Sequence, residues 1–507
     1  MKKRFAICST IVLLLLLSAC GAPQTLDFSY APEGEELSSL MVETSQTHRA
    51  ELEHVPSAAD FADAISDDPA SAGLLSESEV ESLLRGHAAM ETVSKEQAQS
   101  DVSLLFRTLQ SAYGAYEYFG QEKFDAAEDA VTQWLSSQDD EIKVSALGEK
   151  LQESLAFMLT HDAHAMIYEP GAEEIEAQVR YEYFFADGFY FSKDVNGSYY
   201  MVNDGERWTL SSFSDEHVSV QPTLLQDGRI VYQPTLFALR KDAVQSSVTL
   251  KNSSGKAKIY RLDWTESQPL DVDLGTLDYR LIQEDGLTYV SLRSFVSGTY
   301  DNMLARYARE GAKARGSKAV IYDLRGNVGG SDSWPRKWIQ SFLGTQNSIE
   351  TSMLYAQKNS ALFAAENSES LLPEDEGTCF AREVHGTWYE NDIPIIVLVD
   401  DHCGSSGEGA VQLLKTLDNV LVVGSNTAGY QLCGNISTFT LPYTGIGVRF
   451  GSTLFLYGDG ENVDHRGYVP DVWCDPQDAL ASVLALLKEQ GVVSADACET
   501  VREKIVK

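Results

Sequence analysis

Three short runs of branched aliphatic residues in the C-terminal half constrain the fold of this chain more than any other feature. They are AVIYD at 319–323, IPIIVLVD at 393–400 and NVLVVG at 419–424. Each has the length and composition of a buried strand, and a segment with helical spacing separates the second run from the third. The order strand, helix, strand predicts a right-handed crossover and a mainly parallel sheet. We therefore expect an α/β core.

Glycines and serines follow two of these strands. Gly329 and Gly330 end the run RGNVGG, and Ser405 and Ser406 stand directly before a helix in CGSSGEG. Reactive groups in parallel sheets lie at the carboxyl ends of strands. A serine at a helix N-terminus has free backbone N–H groups beside it, and such donors can stabilise the oxyanion of an acyl-transfer intermediate. The local sequence is also compatible with simpler roles, in which Ser405 serves only as a helix cap and the glycines only as a turn.

The rest of the chain divides by pattern into further regions. Residues 76–172 show helical spacing, with a capping box SKEQ at 94–97 and an apolar stripe that includes Val102, Leu105 and Leu109. Residues 173–272 alternate, are rich in aromatic residues and contain Asn-Gly and Asp-Gly turns, which predicts a β-rich middle domain. Residues 273–507 form the α/β core, whose last helix we expect to be capped by Asp475.

The N-terminus has the pattern of a secreted lipoprotein. Residues 1–20 have a basic start, an apolar stretch and then Leu-Ser-Ala-Cys, which is typical of a signal peptide. The segment that ends at Cys20 resembles a bacterial lipobox, which implies cleavage before Cys20 and lipidation of its sulfur. Residues 21–75 are acidic and polar, and we interpret them as a flexible tether. We therefore expect an extracytoplasmic protein that a lipid on Cys20 anchors to the bacterial cell membrane.

Charge and cysteine usage narrow the choice of partners. The chain has 39 Lys and Arg against 75 Asp and Glu, a formal net charge of −36. This charge disfavours nucleic acid and anionic lipid surfaces as partners. Five cysteines follow Cys8 and Cys20, so at least one would stay unpaired if the others formed disulfides. None of them has CxxC spacing, so they predict no zinc site, and His161 and His164 lack a third ligand at a sensible spacing. We expect neither a metal nor a cofactor.

Four motifs together resemble a known family. VIYDLRGNVGG, VLVDDHCGSSGEGAVQLL, VVGSNTAG and DHRGYVPDV occur in the order, and nearly with the spacing, of the C-terminal-processing and tricorn-like serine peptidases. The resemblance covers residues 278–475 well and 98–175 weakly, and it implies a ClpP/crotonase-like peptidase core. It assigns the nucleophile to Ser405, which opens Ser-x-x-Glu, and the oxyanion hole to the N–H groups of Ser406 and of Gly329 or Gly330. Glu408 would be a structural carboxylate.

The same resemblance implies a histidine base. The processing proteases use a lysine in a motif like T-x-G-K, but TAGYQ places Tyr430 there. The tricorn-like branch uses a histidine in a motif like D-G-H, and HDAHA matches it with His164. That branch has a glutamate shortly before G-x-x-P-D, where this chain has Asp464. The expected constellation is therefore Ser405, His164 and Asp464, the last of which would orient the imidazole.

Other residues near these motifs remain alternatives. His402 and His465 are reserve bases, and Cys403 is either a rival nucleophile or a small buried residue. The function implied is a secreted, lipid-anchored serine peptidase that acts on polypeptides. The family often carries a PDZ-like domain, and the β-rich middle domain lies in its place without a recognisable carboxylate-binding loop. A catalytically silent binding lipoprotein on the same fold, or an esterase, remain the alternative functions.

Overall fold

The computed structural model describes residues 32, 34–65, 75–168, 181–186, 188–203, 205–239, 246–274, 277–298, 300–367, 371–372, 375–458 and 460–506. Cys20 and the predicted signal peptide lie outside these ranges. The helices are α1 (Leu37–Glu53), α2 (Glu77–Leu84), α3 (Lys95–Ala112), α4 (Tyr116–Phe119), α5 (Gln121–Ser136), α6 (Val144–Ser154), α7 (Ala156–Leu159), α8 (Asp301–Ala314), α9 (Ser333–Leu343), α10 (Ala361–Glu366), α11 (Ser406–Leu414), α12 (Ala479–Glu489) and α13 (Ala495–Val506).

The strands are β1 (Thr92–Ser94), β2 (Glu141–Lys143), β3 (Met166–Tyr168), β4 (Tyr181–Ala186), β5 (Ser192–Lys193), β6 (Tyr199–Asn203), β7 (Glu206–Phe213), β8 (Val218–Leu224), β9 (Ile230–Leu239), β10 (Ser246–Asn252), β11 (Ala257–Leu262), β12 (Trp264–Glu266), β13 (Arg280–Glu284), β14 (Leu287–Ser291), β15 (Ala319–Asp323), β16 (Met353–Lys358), β17 (Cys379–Val384), β18 (Ile395–Val399), β19 (Val420–Gly424), β20 (Cys433–Thr440), β21 (Gly447–Tyr457) and β22 (Val472–Trp473). None of the helices in the described ranges is long and apolar enough to cross a membrane.

The three aliphatic runs form the centre of the largest sheet, as predicted. β14, β15, β18, β19 and β22 are parallel neighbours, and their residues are buried from both sides. Helices α8, α9 and α11 cover one face, and α1, α12 and α13 cover the other. This arrangement explains the continuous apolar runs, because a parallel strand that is covered on both faces has no polar side. The α/β core is confirmed.

The middle of the chain is rich in strands, as predicted, but its strands enter two different sheets. One sheet has the order β11-β10-β7-β6-β5, and Phe191, next to β5, bridges Tyr232 of β9. The strands β12, β4, β9 and β8 instead extend the core sheet, which they join through the bridge between Thr223 and Trp473. The core sheet therefore continues into the middle segment.

The tether prediction for residues 21–75 is wrong for residues 37–53, which form helix α1. Leu37, Leu40 and Met41 are buried against the core sheet, and His48 Nε2 lies 3.0 Å from Asp471 Oδ1. The sequence pattern did not predict this helix because its apolar residues are few and most of its other positions are polar. A single amphipathic face that packs on a preformed core is enough to order such a segment.

The helical region contacts the core through its last strand. Ser94 begins α3 with a capping box, as predicted, and the stripe on α3 is buried. At the end of the region, β3 pairs with β21, with Ile167 opposite Val448. This pairing holds the residues just before β3, including His164, against the core. The cap predicted at Asp475 is wrong, because α12 begins after Asp478 while the Asp475 carboxylate accepts the N–H of Gln477 in a preceding turn.

Candidate active site

Ser405 lies in the turn between the end of β18 and the first residue of α11. Its backbone has φ +53° and ψ −121°, a region that non-glycine residues rarely occupy. Such a conformation costs of order 1–3 kcal/mol and persists only where the surroundings fix it, most often at functional sites. Ser405 is half-buried, and its N–H donates to Glu408 Oε2 at 3.0 Å. The turn thus presents the serine in the strained geometry that we expect of a nucleophile.

Glu408 is the group that fixes this turn. Its fully buried carboxylate accepts hydrogen bonds from the N–H groups of Ser405, Gly429 and Tyr430 and from the hydroxyl of Thr427. Burial raises the pKa of Glu408, and the four donors act in the opposite direction. The carboxylate therefore joins the start of α11 to the loop that follows β19. This geometry supports the structural role that the sequence suggested for Glu408.

The glycine-rich loop after β15 packs directly on Ser405. A Cβ atom on Gly329, which has φ +100°, would lie 2.8 Å from the Ser405 Cβ atom. The buried Asn327 connects the two loops, because its carbonyl accepts the N–H of Gly404 at 2.9 Å. The Asn327 side chain also accepts the N–H of Gly329 at 2.9 Å and donates to the carbonyl of Leu292. Only a residue without a side chain fits at Gly329, and Asn327 keeps it there.

The hydrogen bonds distinguish the two glycines as oxyanion donors. The Gly329 N–H is occupied by Asn327, while the Gly329 carbonyl accepts the N–H of Phe295 at 2.7 Å. In a trans peptide unit the C=O and the next N–H point in opposite directions, so the Gly330 N–H points away from Phe295. Within the described residues this N–H has no hydrogen-bond partner. Gly330, rather than Gly329, is therefore the candidate donor.

Ser406 supplies the second candidate donor. Its N–H is the first of α11 and has no hydrogen-bond partner among the residues that the structure describes. Its hydroxyl donates to the carbonyl of Gly330 at 2.9 Å, which ties the two candidate donor residues together. The arrangement leaves two N–H groups beside Ser405 that could bind a developing negative charge.

His164 is buried and neutral at physiological pH. Its side chain is almost fully enclosed, and its ring meets the Tyr430 ring edge-on at a centroid distance of 5.1 Å. Burial and then the charge of Arg449 lower the pKa of His164 to about 3, against a hydrogen bond to the backbone of Cys433 that raises it. Its Nδ1 atom is buried without a hydrogen-bond partner in the described part of the chain. A neutral imidazole with a free ring nitrogen is able to accept a proton.

The Asp464 carboxylate binds the backbone next to His164 and not the imidazole ring. One carboxylate oxygen accepts the N–H of Ala163 at 2.9 Å, and the other accepts the N–H groups of Gln431 and Leu432. Burial and then the charge of Asp162 raise the pKa of Asp464 well above its ordinary value. The hydrogen bonds described for Asp464 include none to the imidazole, so its position differs from the ring-orienting role that we predicted.

The predicted residues meet in one region, but the catalytic contact is not formed. Asp464 binds the Gln431 N–H at 2.6 Å, and the Gln431 side chain donates to the Ser405 carbonyl at 2.9 Å. This chain of contacts links the segment of His164 to Ser405. The described contacts contain no hydrogen bond between the His164 ring and the Ser405 hydroxyl. In apo enzymes such a hydrogen bond is often long and tightens only when substrate binds.

Cys403 is less well suited than Ser405, whereas His402 and His465 each have a buried ring nitrogen without a partner in the described part of the chain, as His164 does. Cys403 is fully buried, and burial raises the pKa of its thiol well above the ordinary value, which disfavours it as a nucleophile. Burial and then the charge of His161 lower the pKa of His465 to about 4. His402 donates its backbone N–H to Asp400. The cysteines of the described core, including Cys403, are free thiols.

Sequence reasoning missed three residues of the site. Asn327 and Gln431 connect the loops, and Asp162 binds both the His164 N–H at 2.9 Å and the Tyr113 hydroxyl at 2.8 Å. Asn327 stands inside RGNVGG, so its place in that motif was a usable signal. Gln431 had no comparable signal, because its role depends on a side chain that reaches across to another loop.

Part of the chain matches a known protein family. Residues 286–473 match the model of peptidase family S41. Similar solved structures include mature CPAF (TM-score 0.40, 13% identity, covering 78% of this chain and 98% of that chain). They also include the photosystem II D1 C-terminal processing protease (0.38, 15%, 79% and 98%) and the tricorn protease (0.36, 15%, 82% and 37%). No curated protein is similar enough to count as a relative. Residues 286–473 are therefore similar to peptidase family S41, a family of serine-type peptidases.

Proposed function

We propose that this protein hydrolyses peptide bonds with Ser405 as nucleophile and His164 as general base. The observation that carries the proposal is the strained turn at Ser405, which places the serine beside the unoccupied N–H groups of Gly330 and Ser406. A nucleophilic serine with free N–H donors beside it is the arrangement that acyl transfer requires. The loops that build it come from the ends of two neighbouring parallel strands, β15 and β18.

The reaction follows from these positions. The Ser405 oxygen attacks the substrate carbonyl carbon while His164 takes the hydroxyl proton. The N–H groups of Gly330 and Ser406 bind the oxyanion, and His164 passes the proton to the leaving amine. Water then attacks the acyl-enzyme, with His164 again as base, and releases the acid product. Asp464 holds the main chain next to His164 by its hydrogen bond to Ala163.

The assignment of the base to His164 rests on what surrounds the nucleophile. Tyr430 occupies the place where the processing branch has its lysine, and its backbone is held by Glu408 beside Ser405. His164 contacts the Tyr430 ring and is connected to Ser405 through Asp464 and Gln431. A general base works best with a pKa near the operating pH, so His164 acts as the base once substrate binding relieves the burial that lowers its pKa to about 3.

We also propose that the mature chain begins at Cys20 and is held at the outer face of the bacterial membrane by lipid on that residue. The lipobox-like sequence that ends at Cys20 supports this. Metabolic labelling with an alkyne fatty acid tests it, since label on the wild type and none on Cys20→Ser is the expected result. Equal labelling of both would contradict it.

Casein digestion tests the activity. The full chain and its Ser405→Ala and His164→Ala variants are incubated with casein, and fragments are read by mass spectrometry. Ser212→Ala is the matched control, since Ser212 is exposed on β7. We expect cleavage by the wild type and the control only. Cleavage that survives His164→Ala but not Ser405→Ala would reassign the base to His402 or His465. Hydrolysis of a simple ester without peptide cleavage would indicate an esterase, and no hydrolysis of either would favour a binding protein.

A further inference from the structure

The Tyr430 side chain lies against His164 and against Gly404, the residue that precedes the nucleophile. On one side its ring meets the His164 ring edge-on, with the centroids 5.1 Å apart. On the other side a Cβ atom placed on Gly404 would lie 3.3 Å from Tyr430 Cδ2 and 3.9 Å from Cε2. Gly404 directly precedes the nucleophile. The tyrosine ring therefore fills space between the base and the turn that carries Ser405.

The state of His164 agrees with a blocked approach. Its Nδ1 atom is buried without a partner in the described structure, and the ring makes no hydrogen bond to the Ser405 hydroxyl. Structures normally avoid a buried nitrogen without a partner, so other contacts must hold the ring in place. One of them is its hydrogen bond to the backbone of Cys433. The His164 ring contacts the Tyr430 ring edge-on, and the same Tyr430 ring lies close to Gly404.

The Tyr430 backbone is held independently of its side chain. The N–H donates to Glu408 at 2.8 Å, and the carbonyl accepts the Gln431 side-chain amide at 3.1 Å. A rotation about the first side-chain torsion would move the ring and leave both hydrogen bonds intact. The ring is half-buried, so part of it already faces solvent. These two backbone hydrogen bonds therefore do not fix the position of the ring.

We propose that Tyr430 is a positioning residue that controls whether His164 reaches Ser405, a role that rests on the function proposed above. In the conformation described, its ring separates the base from the nucleophile. When the ring rotates away, as a substrate occupies the cleft, the imidazole moves to the Ser405 hydroxyl and the site becomes competent. Tyr430 acts through His164 and takes no part in bond making.

Covalent labelling of Ser405 by a fluorophosphonate tests this control. The serine oxygen attacks phosphorus, fluoride leaves, and His164 takes the hydroxyl proton, so the labelling rate reports how well the base serves the nucleophile. We expect Tyr430→Ala to be labelled roughly threefold to tenfold faster than the wild type, the range that corresponds to loss of one aromatic pair contact. Tyr430→Phe keeps the ring and should label more slowly than Tyr430→Ala. Tyr200→Ala, remote on β6, is the matched control.

The dependence on His164 separates this role from a merely structural one. The increase in labelling rate caused by Tyr430→Ala should be absent when His164→Ala is also present, because the ring is proposed to act only by keeping His164 away from Ser405. Tyr430→Leu, which retains more apolar volume, should also label faster than the wild type and decides the question if the alanine variant does not fold.

The outcomes distinguish this proposal from the proposed function. If the wild type is labelled at Ser405 and neither Tyr430→Ala nor Tyr430→Leu is faster, control by Tyr430 is overturned while the peptidase assignment stands. A gain that persists without His164 also overturns it. If neither the wild type nor the Tyr430 variants are labelled or cleave casein, the proposed function itself fails.

Discussion

Removal of the Glu408 carboxylate should destabilise the protein more than any other single change at the site. The carboxylate is fully buried and serves three backbone N–H groups, those of Ser405, Gly429 and Tyr430, together with one hydroxyl. A buried donor left without a partner costs about 1–3 kcal/mol. Glu408→Ala abandons three such N–H groups, so the free energy of unfolding should fall by at least about 3 kcal/mol.

Glu408→Gln should give a smaller loss, and the geometry indicates why. If the amide oxygen replaces Oε2, Ser405 and Tyr430 keep their acceptor and only the Gly429 N–H faces an NH₂ group. The Thr427 hydroxyl can reverse its role and accept from the amide. One unsatisfied N–H corresponds to a loss of about 1–3 kcal/mol.

Urea unfolding followed by circular dichroism measures these differences. Glu216→Gln is the matched control, because Glu216 is exposed in the loop before β8 and should leave the midpoint unchanged. The expected order of stability is control, then Glu408→Gln, then Glu408→Ala. The reasoning is refuted if Glu408→Gln matches the control, or if Glu408→Ala is as stable as Glu408→Gln.

Three further predictions concern the same region. Gly329→Ala should lower kcat by at least about 100-fold, because its Cβ atom would lie 2.8 Å from the Ser405 Cβ atom and would misplace the nucleophile. The control Gly316→Ala has open space around it and should keep the wild-type kcat. Similar kcat values for the two variants would contradict this packing argument. His164 stays neutral in the folded protein, with its pKa lowered to about 3 from 6.5, while the unfolded chain gains that proton as pH falls through 6.5. The free energy of unfolding should therefore fall by about 2 kcal/mol between pH 7.5 and pH 5 because of this residue alone. Urea midpoints measured at both pH values should show a smaller fall for His164→Asn than for the wild type. An equal fall in both proteins would mean that His164 is not buried in its neutral form. Asn327→Ala should lower both stability, by about 1–3 kcal/mol, and the labelling rate of Ser405, because it removes the side-chain acceptor of the Gly329 N–H; an unchanged labelling rate would show that this acceptor does not position the loop.

Local patterns predicted the elements of the core well. The aliphatic runs became the parallel strands β15, β18 and β19, and the helix predicted after the two serines is present and begins at Ser406. Ser94 forms the predicted capping box. These features depend on side-chain spacing within a few residues, so the sequence contains the information directly. The assignment of His164 came from a motif, and the structure brings its segment to the region of Ser405 through Asp464 and Gln431.

The misses came from contacts between distant segments. α1 is ordered by the core sheet on which it packs, and the strands of the middle segment join that sheet through Thr223 and Trp473. Asp464 matches a motif position, but its carboxylate binds backbone N–H groups of two other loops. A spacing pattern does not contain these partners, because hydrogen-bond partners far apart along the chain are set by how the loops meet.

The sequence by itself determined the α/β core, the serine at the start of α11 and the glycines that must pack beside it, because strand burial, helix starts and close backbone approaches each require particular residue types. Only the tertiary structure decided which glycine has a free N–H and that Tyr430 lies between His164 and Gly404. Those properties depend on the direction of single peptide units and rings, which the packing of separate loops sets after the elements have formed.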